Sequence, residues 1–493
     1  MSSFDEIRNI RIVKLEAIKA SGMNPYPISS KQDFELSAII KNFEKLSKAK
    51  KNEYSLVGRV LALRPQGGLI FFHFSDGTAK FQALLKKGEA ISDKEFDLFF
   101  NTVDIGDFVQ VTGSLFVTKR EEKTVQVSTW TMLSKSLRPL PEKWHGLTDV
   151  EDRFRKRYLD TLMNEEVRNR FLLRAKLITE IRSILDKAGY IEVETPVLQP
   201  LYGGASAEPF KTHHNALDSD LFLRISDELY LKRLLAGGFP KVYEIARDFR
   251  NEGIDTTHNP EFTMLEFYES YSDAPKQRAF VEAMVKTLVK NVLPEGKLIW
   301  NEDVIDMTSK FSVVSFYDLL RRHALIPNPE SISQSDAAIT AQRLGVSVDA
   351  GEGLDKILDN IYKKTCRPKL IQPTFIIDYP VNYLPLAKKK EGDETVVDAF
   401  QLVIGGTELV KAFSELNDPL DQRARFENQE KKKTEGDAEA QPLDEDFLEA
   451  MEYGIPPAGG VGIGIDRLVM LFTNMKNIKE VILFPTLKPK NNN

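Results

Sequence analysis

The sequence predicts an α+β protein in which a small β-barrel precedes a larger α+β unit. Short β-rich runs separated by glycine turns fill residues 54–133. Two prolines at 139 and 141 then stiffen the chain, and beyond about residue 150 long helical periods alternate with β-rich runs. The expected parts are an amphipathic helix and linker (1–53), the barrel (54–136), a second linker (137–160) and the large unit (161–493).

Composition narrows the class of protein. The 493 residues carry 67 basic and 73 acidic side chains and are 42% hydrophobic, which argues against disorder, collagen and coiled coil. We find no apolar run long enough for a spanning helix and a single cysteine, Cys366, so we expect a cytoplasmic protein with no membrane partner. Residues 1–140 hold 21 basic and 16 acidic side chains, a balance that suits a polyanion or an ordinary surface but is too weak for a DNA-binding domain.

The first two parts have simple patterns. Apolar residues at helical spacing predict one amphipathic helix before Gly22: Ile7, Ile10, Val13 with Leu15, and Ile18. Five short runs then predict strands, at 56–60, 70–74, 80–85, 108–112 and 124–127, with helical character near 93–100. Five strands in about 80 residues favour a closed barrel of the OB type, although the pattern leaves any other small barrel or sandwich open.

The large unit begins with a helix followed by a strand. Its predicted apolar stripe is Phe171, Ala175, Ile178, Ile181 and Leu185. Asn164 is the expected N-cap and Gly189 the stop, and residues 191–195 alternate as a strand that Pro196 ends. By itself this pair predicts only packing.

Two later stretches carry more chemistry. Residues 243–253 and 261–268 predict a hairpin, because alternation puts Phe262, Met264, Glu266 and Tyr268 on one face and an apolar set on the other. Residues 459–464 place glycines at alternating positions before an apolar helix. Arg467 then lies near a helix N-terminus, a position that favours phosphate.

These three stretches, in this order and spacing, resemble motifs one, two and three of the class II aminoacyl-tRNA synthetases. Residues 249–253 and 258–263 match the second motif almost throughout. Four further segments resemble the lysyl-tRNA synthetases specifically: 203–207, 212–218, 227–233 and 413–418. The similarity covers essentially the whole chain. It implies a catalytic domain built on an antiparallel sheet flanked by helices, behind an OB-fold domain that binds the anticodon.

The resemblance also implies an activity: lysine reacts with ATP, and the lysyl group then passes to the 3′ end of tRNA(Lys). Arg250 would hold the α-phosphate, Arg467 the γ-phosphate, and Phe262 would stack on adenine. Glu252, counted with the two arginines as catalytic, would lie beside the nucleotide, as would His258 and Asn259.

The family's metal site is altered in this sequence. Glu408 would bind Mg²⁺, with one to three ions expected. Gln401 stands where a second magnesium-binding glutamate is common, and Lys411 where an asparagine is usual. Alternation puts Lys411 and Glu415 on one face of a strand, so Glu408 joins them only if a bulge intervenes.

The remaining expected sites bind lysine and tRNA. Glu415 and Tyr268 would hold the ε-ammonium group and Glu228 the α-ammonium group, with Gly204 shaping the pocket, Glu266 supporting it and Phe413 lining it. On the barrel, Phe71 would stack on an anticodon base and Arg64 and Gln82 would contact base edges, although a core phenylalanine is the alternative for Phe71. The resemblance of the first motif implies a homodimer.

Three alternatives remain. A ligase that lysylates another protein would lack the barrel at 54–133. A noncatalytic RNA-binding paralogue would explain Gln401 and Lys411 but not the retained Arg250, Glu252 and Arg467. A ligase for a different amino acid is disfavoured by Glu415 together with Tyr268.

Overall fold

The computed structural model describes residues 4–50, 53–141, 147, 149–349, 352–434 and 440–490. The chain divides into two compact units, Met1–Thr148 and Asp149–Asn493. Parts of the predicted second linker (142–146 and 148) and residues 435–439 lie outside the described residues. Within the described ranges, no helix combines the length and apolar character that crossing a membrane requires. The predicted four-part domain boundaries stay a prediction.

The first unit is the predicted barrel with helices around it. Its strands close in the order β1-β2-β3-β5-β4. They are β1 (Glu53–Gln66), β2 (Leu69–Ser75), β3 (Lys80–Lys86), β4 (Phe108–Val117) and β5 (Lys123–Ser134). The helices are α1 (Phe4–Ala20), α2 (Leu36–Lys41), α3 (Phe43–Ser47) and α4 (Asp93–Thr102). Closure confirms the OB-type barrel and excludes a sandwich.

The apolar stripe predicted for α1 is partly wrong. Ile10 and Val13 are exposed, and the helix instead buries Arg11, Leu15 and Ile18. The guanidinium of Arg11 donates to the backbone carbonyls of Ile105, Ser136 and Arg138. An arginine can therefore occupy a packed face that a count of apolar residues assigns to isoleucine and valine.

The second unit is built on an eight-stranded sheet. Its order is β14-β15-β18-β19-β20-β11-β10-β6, antiparallel except for the β14-β15 and β10-β6 pairs. The strands of the unit are β6 (Ile191–Glu192), β7 (Leu198–Gln199), β8 (Lys211–His214), β9 (Ser219–Leu223), β10 (Lys241–Phe249), β11 (Glu261–Ser270), β12 (Leu298–Trp300), β13 (Asp303–Ile305), β14 (Ser312–Ser315), β15 (Thr374–Ile377), β16 (Lys389–Lys390), β17 (Asp393–Val397), β18 (Ala399–Ile404), β19 (Thr407–Ser414) and β20 (Ala458–Gly464). This antiparallel-rich sheet agrees with the predicted fold class.

Helices flank that sheet. They are α5 (Val150–Arg155), α6 (Arg157–Met163), α7 (Glu165–Lys187), α8 (Glu228–Ala236), α9 (Ala274–Val292), α10 (Phe316–Leu319), α11 (Gln334–Arg343), α12 (Leu354–Ile361), α13 (Pro419–Thr434), α14 (Glu445–Glu452) and α15 (Ile465–Phe472). In α7 the buried stripe runs through Leu177, Ile181 and Leu185, whereas Ala175 of the predicted stripe is exposed. The strand predicted after it is only two residues long. One sheet face packs on α7, α9 and α15, which leaves the other face to carry the polar side chains of β11 and β19.

Candidate active site

The polar sheet face is organised as rows across neighbouring strands. One row joins Gln401, Lys411, Gly462, Glu266 and Glu244, each directly opposite the next on β18, β19, β20, β11 and β10. Since directly opposite residues in an antiparallel sheet share a face, all the side chains of this row project to the same side. The alternation predicted for β11 is thereby confirmed, because Leu265 and Phe267 lie in the core on the other side.

A second row explains why β20 is rich in glycine. Gly460 lies between Tyr268 and Phe413. A Cβ atom at Gly460 would overlap Oε1 of Glu415 and would come within 2.7 Å of Cδ1 of Tyr268. The absent side chain therefore leaves the space into which Glu415 and Tyr268 reach.

A bulge in β19 brings Glu408 onto the same face. Gln401 is opposite Lys411 and Leu402 opposite Val410, but the next pair is Val403 with Glu408. The extra residue is Leu409, and it reverses the alternation at this point. The bulge that Glu408 needs in order to share a face with Lys411 is therefore present.

Three adjoining cavities cover this face. The first cavity is lined by the predicted nucleotide residues Arg250, Glu252, His258, Asn259, Phe262, Glu408 and Arg467. The second cavity is lined by the predicted lysine residues Gly204, Glu228, Glu266, Tyr268 and Phe413. The third cavity lies beside Gln401, Glu408 and Asp359. Ser206, Arg250 and Lys411 line all three, so they mark the junction between the cavities.

Both predicted arginines are held in place around the first cavity. Arg250 donates to the carbonyl of Ile225 from Nε and Nη2, at 3.3 Å each, and lies 5.0 Å from the centre of the Phe262 ring. Arg467 shares a 3.0 Å hydrogen bond with Nε2 of His258 and donates to the carbonyl of Glu408. Burial lowers the pKa of Arg467, and Glu408 opposes that shift. The two guanidinium groups thus converge on one cavity from positions 217 residues apart in the chain.

A buried charge cluster that the sequence did not predict adjoins the second cavity, which Glu228 lines and which Lys232 and Glu415 do not. The ammonium of Lys232 is 2.7 Å from Oε1 of Glu228 and forms an ion pair with Oε2 of Glu415. Among the described residues, Oε1 of Glu415 has no hydrogen-bond donor although the residue is 1% exposed. Two carboxylates thus share one ammonium. Burial raises the pKa of Glu415 although Lys232 opposes the shift, and a second cation beside Oε1 would favour the ionised carboxylate. The hydroxyl of Tyr268 donates to Oε2 of Glu266 at 2.8 Å, so its oxygen keeps acceptor capacity.

Gly204 forms part of the wall of the second cavity. Its φ is +84°, and a Cβ atom would come within 2.8 Å of Oγ of Ser226. Its backbone N–H donates to Gln441. Positive φ and lack of space both restrict this position to glycine.

A group of carboxylates is buried behind the second cavity. Oxygen atoms of Asp227, Asp248 and Glu266 lie within 4.8 Å of one another, close enough to share protons or a cation. Burial raises the pKa of Glu266 to about 8 and that of Asp248 to about 6, and raises that of Asp227 well above its usual range. Neighbouring carboxylates add to the shifts of Glu266 and Asp227.

We predict that Asp227→Asn stabilises the protein more at pH 8 than at pH 5. A carboxyl group with a raised pKa favours the folded state below its unfolded pKa, near 4, and loses that contribution as pH rises through its folded pKa. Asparagine does not titrate and has the same shape. The expected gain at pH 8 is about 1–3 kcal/mol, the cost of a buried acceptor without a donor. Denaturant unfolding at both pH values measures it, with Asp303→Asn on an exposed strand as control; a gain that does not change with pH would contradict the prediction.

The barrel carries its own set of outward side chains. Ile70, Phe72 and Phe74 of β2 point into the barrel core, whereas Phe71 and His73 face outward. Phe71 lies opposite Arg64 on β1, and His73 lies opposite Gln82 on β3. The alternative that Phe71 is a core residue is therefore wrong.

Glu122 is a barrel residue that sequence reasoning missed. It accepts a 2.6 Å hydrogen bond from Nε2 of Gln82 and lies 2.9 Å from Nε2 of His73. Gln82 is nearly buried and its Oε1 accepts from Thr124. In the sequence, Glu122 stands out only as an acidic residue just before β5 in an otherwise basic section. That position gives no indication that it pairs with Gln82 and His73.

Comparison with known proteins agrees with this geometry. The family model for class II tRNA synthetases of the D, K and N type matches residues 149–488, and the model for the OB-fold nucleic acid binding domain of the anticodon type matches residues 54–133. A lysine–tRNA ligase of Moorella thermoacetica is 45% identical over 99% of this chain and 98% of its own length. Lysine–tRNA ligase 2 of Methanosarcina mazei is 44% identical over 97% and 93%. A lysine–tRNA ligase of Gloeobacter violaceus is 43% identical over 99% of both chains.

The chain belongs to the lysine–tRNA ligase family of class II tRNA synthetases.

Membership in the lysine–tRNA ligase family gives meaning to the residues that were missed. Lys232 lies in a segment that resembled the family, but a buried lysine between Glu228 and Glu415 could not be inferred without the fold. Gly460 was recognised only as part of a glycine-rich run. Lys411 was noted as a departure, and its place at the junction of the cavities emerged from the strand register.

Proposed function

We propose that the chain activates L-lysine with ATP to lysyl-adenylate, releasing pyrophosphate, and then transfers lysine to the 3′ end of tRNA(Lys). The observation that carries the amino-acid choice is the buried Oε1 of Glu415, which lacks a donor among the described residues and lies beside Tyr268. A buried carboxylate without a full set of partners is costly and attracts a cation. An aspartate or asparagine side chain would not supply that cation.

In the first step, a carboxylate oxygen of lysine bonds to the α-phosphorus while the bond from that phosphorus to the bridging oxygen breaks. Negative charge builds on phosphoryl oxygens, and fixed guanidinium groups stabilise it. Arg250 at the junction of the cavities suits the α-phosphate, and Arg467 farther along the first cavity suits the γ-phosphate. Phe262 offers a ring face for adenine, with Glu252, His258 and Asn259 around the nucleotide.

In the second step, a hydroxyl of the terminal ribose of tRNA attacks the carbonyl carbon of the adenylate, and AMP leaves. The enzyme contributes mainly position, since the adjoining first and second cavities would hold the adenylate in place for the attack. The α-ammonium of lysine is assigned to Glu228.

The residues present fit a Mg²⁺ site. The carboxylate of Glu408 and Oε1 of Gln401 line the third cavity, and Oε1 of Gln401 is buried without a hydrogen-bond partner in the described chain. Oxygen donors of this kind, one or two from protein with the rest from phosphate, are those that Mg²⁺ takes. When bound, Mg²⁺ supplies charge neutralisation of the phosphates. Because Glu408 supplies one carboxylate and Gln401 one amide, we expect the number of Mg²⁺ ions to be closer to one than to three.

ATP–pyrophosphate exchange with each standard amino acid tests the proposal. Exchange with lysine supports it. Exchange with a different amino acid would transfer the assignment to another class II ligase. Exchange with none would favour the noncatalytic RNA-binding paralogue that Gln401 and Lys411 also suit.

We assign anticodon recognition to the outward barrel face formed by Arg64, Phe71, His73, Gln82 and Glu122. Exposed aromatic rings stack on single-stranded bases, and neighbouring polar groups contact base edges. The expected partner of this face is cytoplasmic tRNA rather than DNA. Unpaired anticodon bases are free to stack on an exposed ring, whereas the bases of a DNA duplex are already stacked on one another.

Phe71→Ala is expected to spare lysine-dependent exchange and to weaken tRNA charging by about 1–3 kcal/mol, the value of one lost stacking contact. Aminoacylation kinetics with tRNA(Lys) measure the effect. Phe100→Ala, which removes an exposed ring from α4, is the control. Equal charging kinetics for the Phe71 variant and wild type would remove Phe71 from the anticodon site.

A homodimer is part of the same proposal. Leu172 on α7 is 61% exposed and Ile191 on the edge strand β6 is 46% exposed. Apolar side chains on the first-motif helix and at an open sheet edge suit burial against a second copy. Sedimentation equilibrium of the active enzyme is expected to give twice the chain mass, and an active monomer would contradict the assignment.

A further inference from the structure

Lys411 combines an unusual position with an unpaired charge. Its exposed surface lines all three cavities of the site. Among the described residues its ammonium makes no hydrogen bond or ion pair, whereas Lys363 in the same lining pairs with Asp359, and the nearby buried Lys232 pairs with Glu228 and Glu415. An unpaired ammonium at a junction of cavities is available to an anionic ligand.

The charges along β19 match a zwitterion. Glu415 and Lys411 are four residues apart, roughly 13 Å along an extended chain. The lining of the second cavity itself includes the carboxylates of Glu228 and Glu266 and the ammonium of Lys411. A lysine whose side-chain ammonium meets Glu415 would direct its carboxylate toward Lys411. The missing side chain of Gly462, directly opposite Lys411, leaves this path open.

The residue opposite Lys411 is a weak metal ligand, so the lysine charge stands where a metal ion would be poorly held. Gln401 is directly opposite on β18, and its Oε1 is buried without a partner in the described chain. A neutral amide in place of a carboxylate weakens this position as a metal ligand, and a cation on the adjacent strand adds positive charge beside it. Gln401 and Lys411 together carry a charge of +1, whereas a carboxylate facing a neutral residue carries −1. The difference of two charge units equals the charge of one divalent ion.

We propose that Lys411 is a catalytic residue of this enzyme, whose ammonium contacts the carboxylate of the substrate lysine and the α-phosphate of ATP and replaces one metal ion there. The inference rests on the proposed function. Two anions must approach each other as the carboxylate oxygen bonds to phosphorus and pyrophosphate leaves, and Arg250 and Lys411 flank that point. The ammonium transfers no proton in this step.

The first test is lysine-dependent ATP–pyrophosphate exchange by Lys411→Met and Lys411→Arg. The methionine variant should lose roughly tenfold to thirtyfold in kcat, less than the ~10²-fold or more typical of a lost charge-stabilising donor, because Arg250 remains. Lys411→Arg should retain most of the activity. Lys290→Met on the exposed side of α9 is the control for loss of a lysine charge. Unchanged kcat in Lys411→Met would overturn the proposal.

The second test counts bound metal without measuring turnover. Mn²⁺ binding to the complex with lysine and a nonhydrolysable ATP analogue is followed by electron paramagnetic resonance. The double variant Gln401→Glu/Lys411→Asn should bind one more ion than wild type, and equal numbers would overturn the replacement of a metal by Lys411. Thermal unfolding confirms that each variant is folded. If wild type shows no exchange with lysine, the proposed function fails; if wild type is active and both tests show no difference, only the role of Lys411 fails.

Discussion

Gly460→Ala is expected to raise the KM for lysine in ATP–pyrophosphate exchange by at least 10²-fold. The new Cβ atom would overlap Oε1 of Glu415 and press on the ring of Tyr268, so at least one of these buried groups must move. Removing one partner of a buried charge pair costs about 3–5 kcal/mol, which corresponds to roughly 10²-fold to nearly 10⁴-fold in affinity. Exchange measured over a range of lysine concentrations gives the KM.

Gly462→Ala is the matched comparison on the same strand. A Cβ atom there comes no closer than 3.3 Å, to the flexible end of Met264. Its effect on the KM for lysine should be several times smaller than that of Gly460→Ala. A Gly460→Ala enzyme that is folded by circular dichroism and has a lysine KM within twofold of wild type would remove Glu415 and Tyr268 from the lysine site.

Arg250→Ala is expected to lower lysine-dependent exchange by at least about 10²-fold, since it removes a fixed donor from the charge that develops on phosphorus. The structure holds this guanidinium in place before substrate arrives, through the carbonyl of Ile225 and the ring of Phe262. Arg250→Lys should recover only part of the loss, because an ammonium cannot reproduce the planar fork. Initial exchange rates at saturating ATP and lysine measure the change in kcat.

Arg247→Ala is the control for Arg250→Ala. Arg247 lies on β10, three residues before Arg250; it is exposed, and its Nε atom lies 3.7 Å from Oε1 of Glu261. Its removal should leave the exchange rate unchanged. Exchange by Arg250→Ala close to the wild-type rate would show that Arg250 does not hold the α-phosphate.

Strand alternation was predictable because it depends only on neighbouring residues. The side-chain directions on β2 and β11 agreed with a period of two, which placed Phe71 outward and Glu266 with Tyr268 on the site face. Helical stripes were less predictable. In α1, Arg11 occupies the packed face because its guanidinium finds three backbone carbonyls, and no count of apolar residues anticipates those partners.

The charge partners could not be read from the sequence. Lys232 and Glu415 are 183 residues apart, and their ion pair depends on how α8 packs on the sheet, where it contacts β10 and β11. Glu408 reached the site face only because Leu409 forms a bulge, and bulges depend on the pairing of two strands rather than on one. The pKa values of Asp227 and Glu266 are likewise raised by burial and by neighbouring carboxylates, which the fold brings together.

The sequence by itself determined the kinds of groups available: two arginines for phosphate, carboxylates for an ammonium, a glycine-rich strand and an aromatic barrel face. Motif order and local periodicity are sufficient for that. Only the tertiary structure decided that Gln401, Lys411, Gly462 and Glu266 form one row, and that Lys411 stands where the cavities meet. Hydrogen bonds between strands distant in the chain set that register, and each strand alone is compatible with several registers.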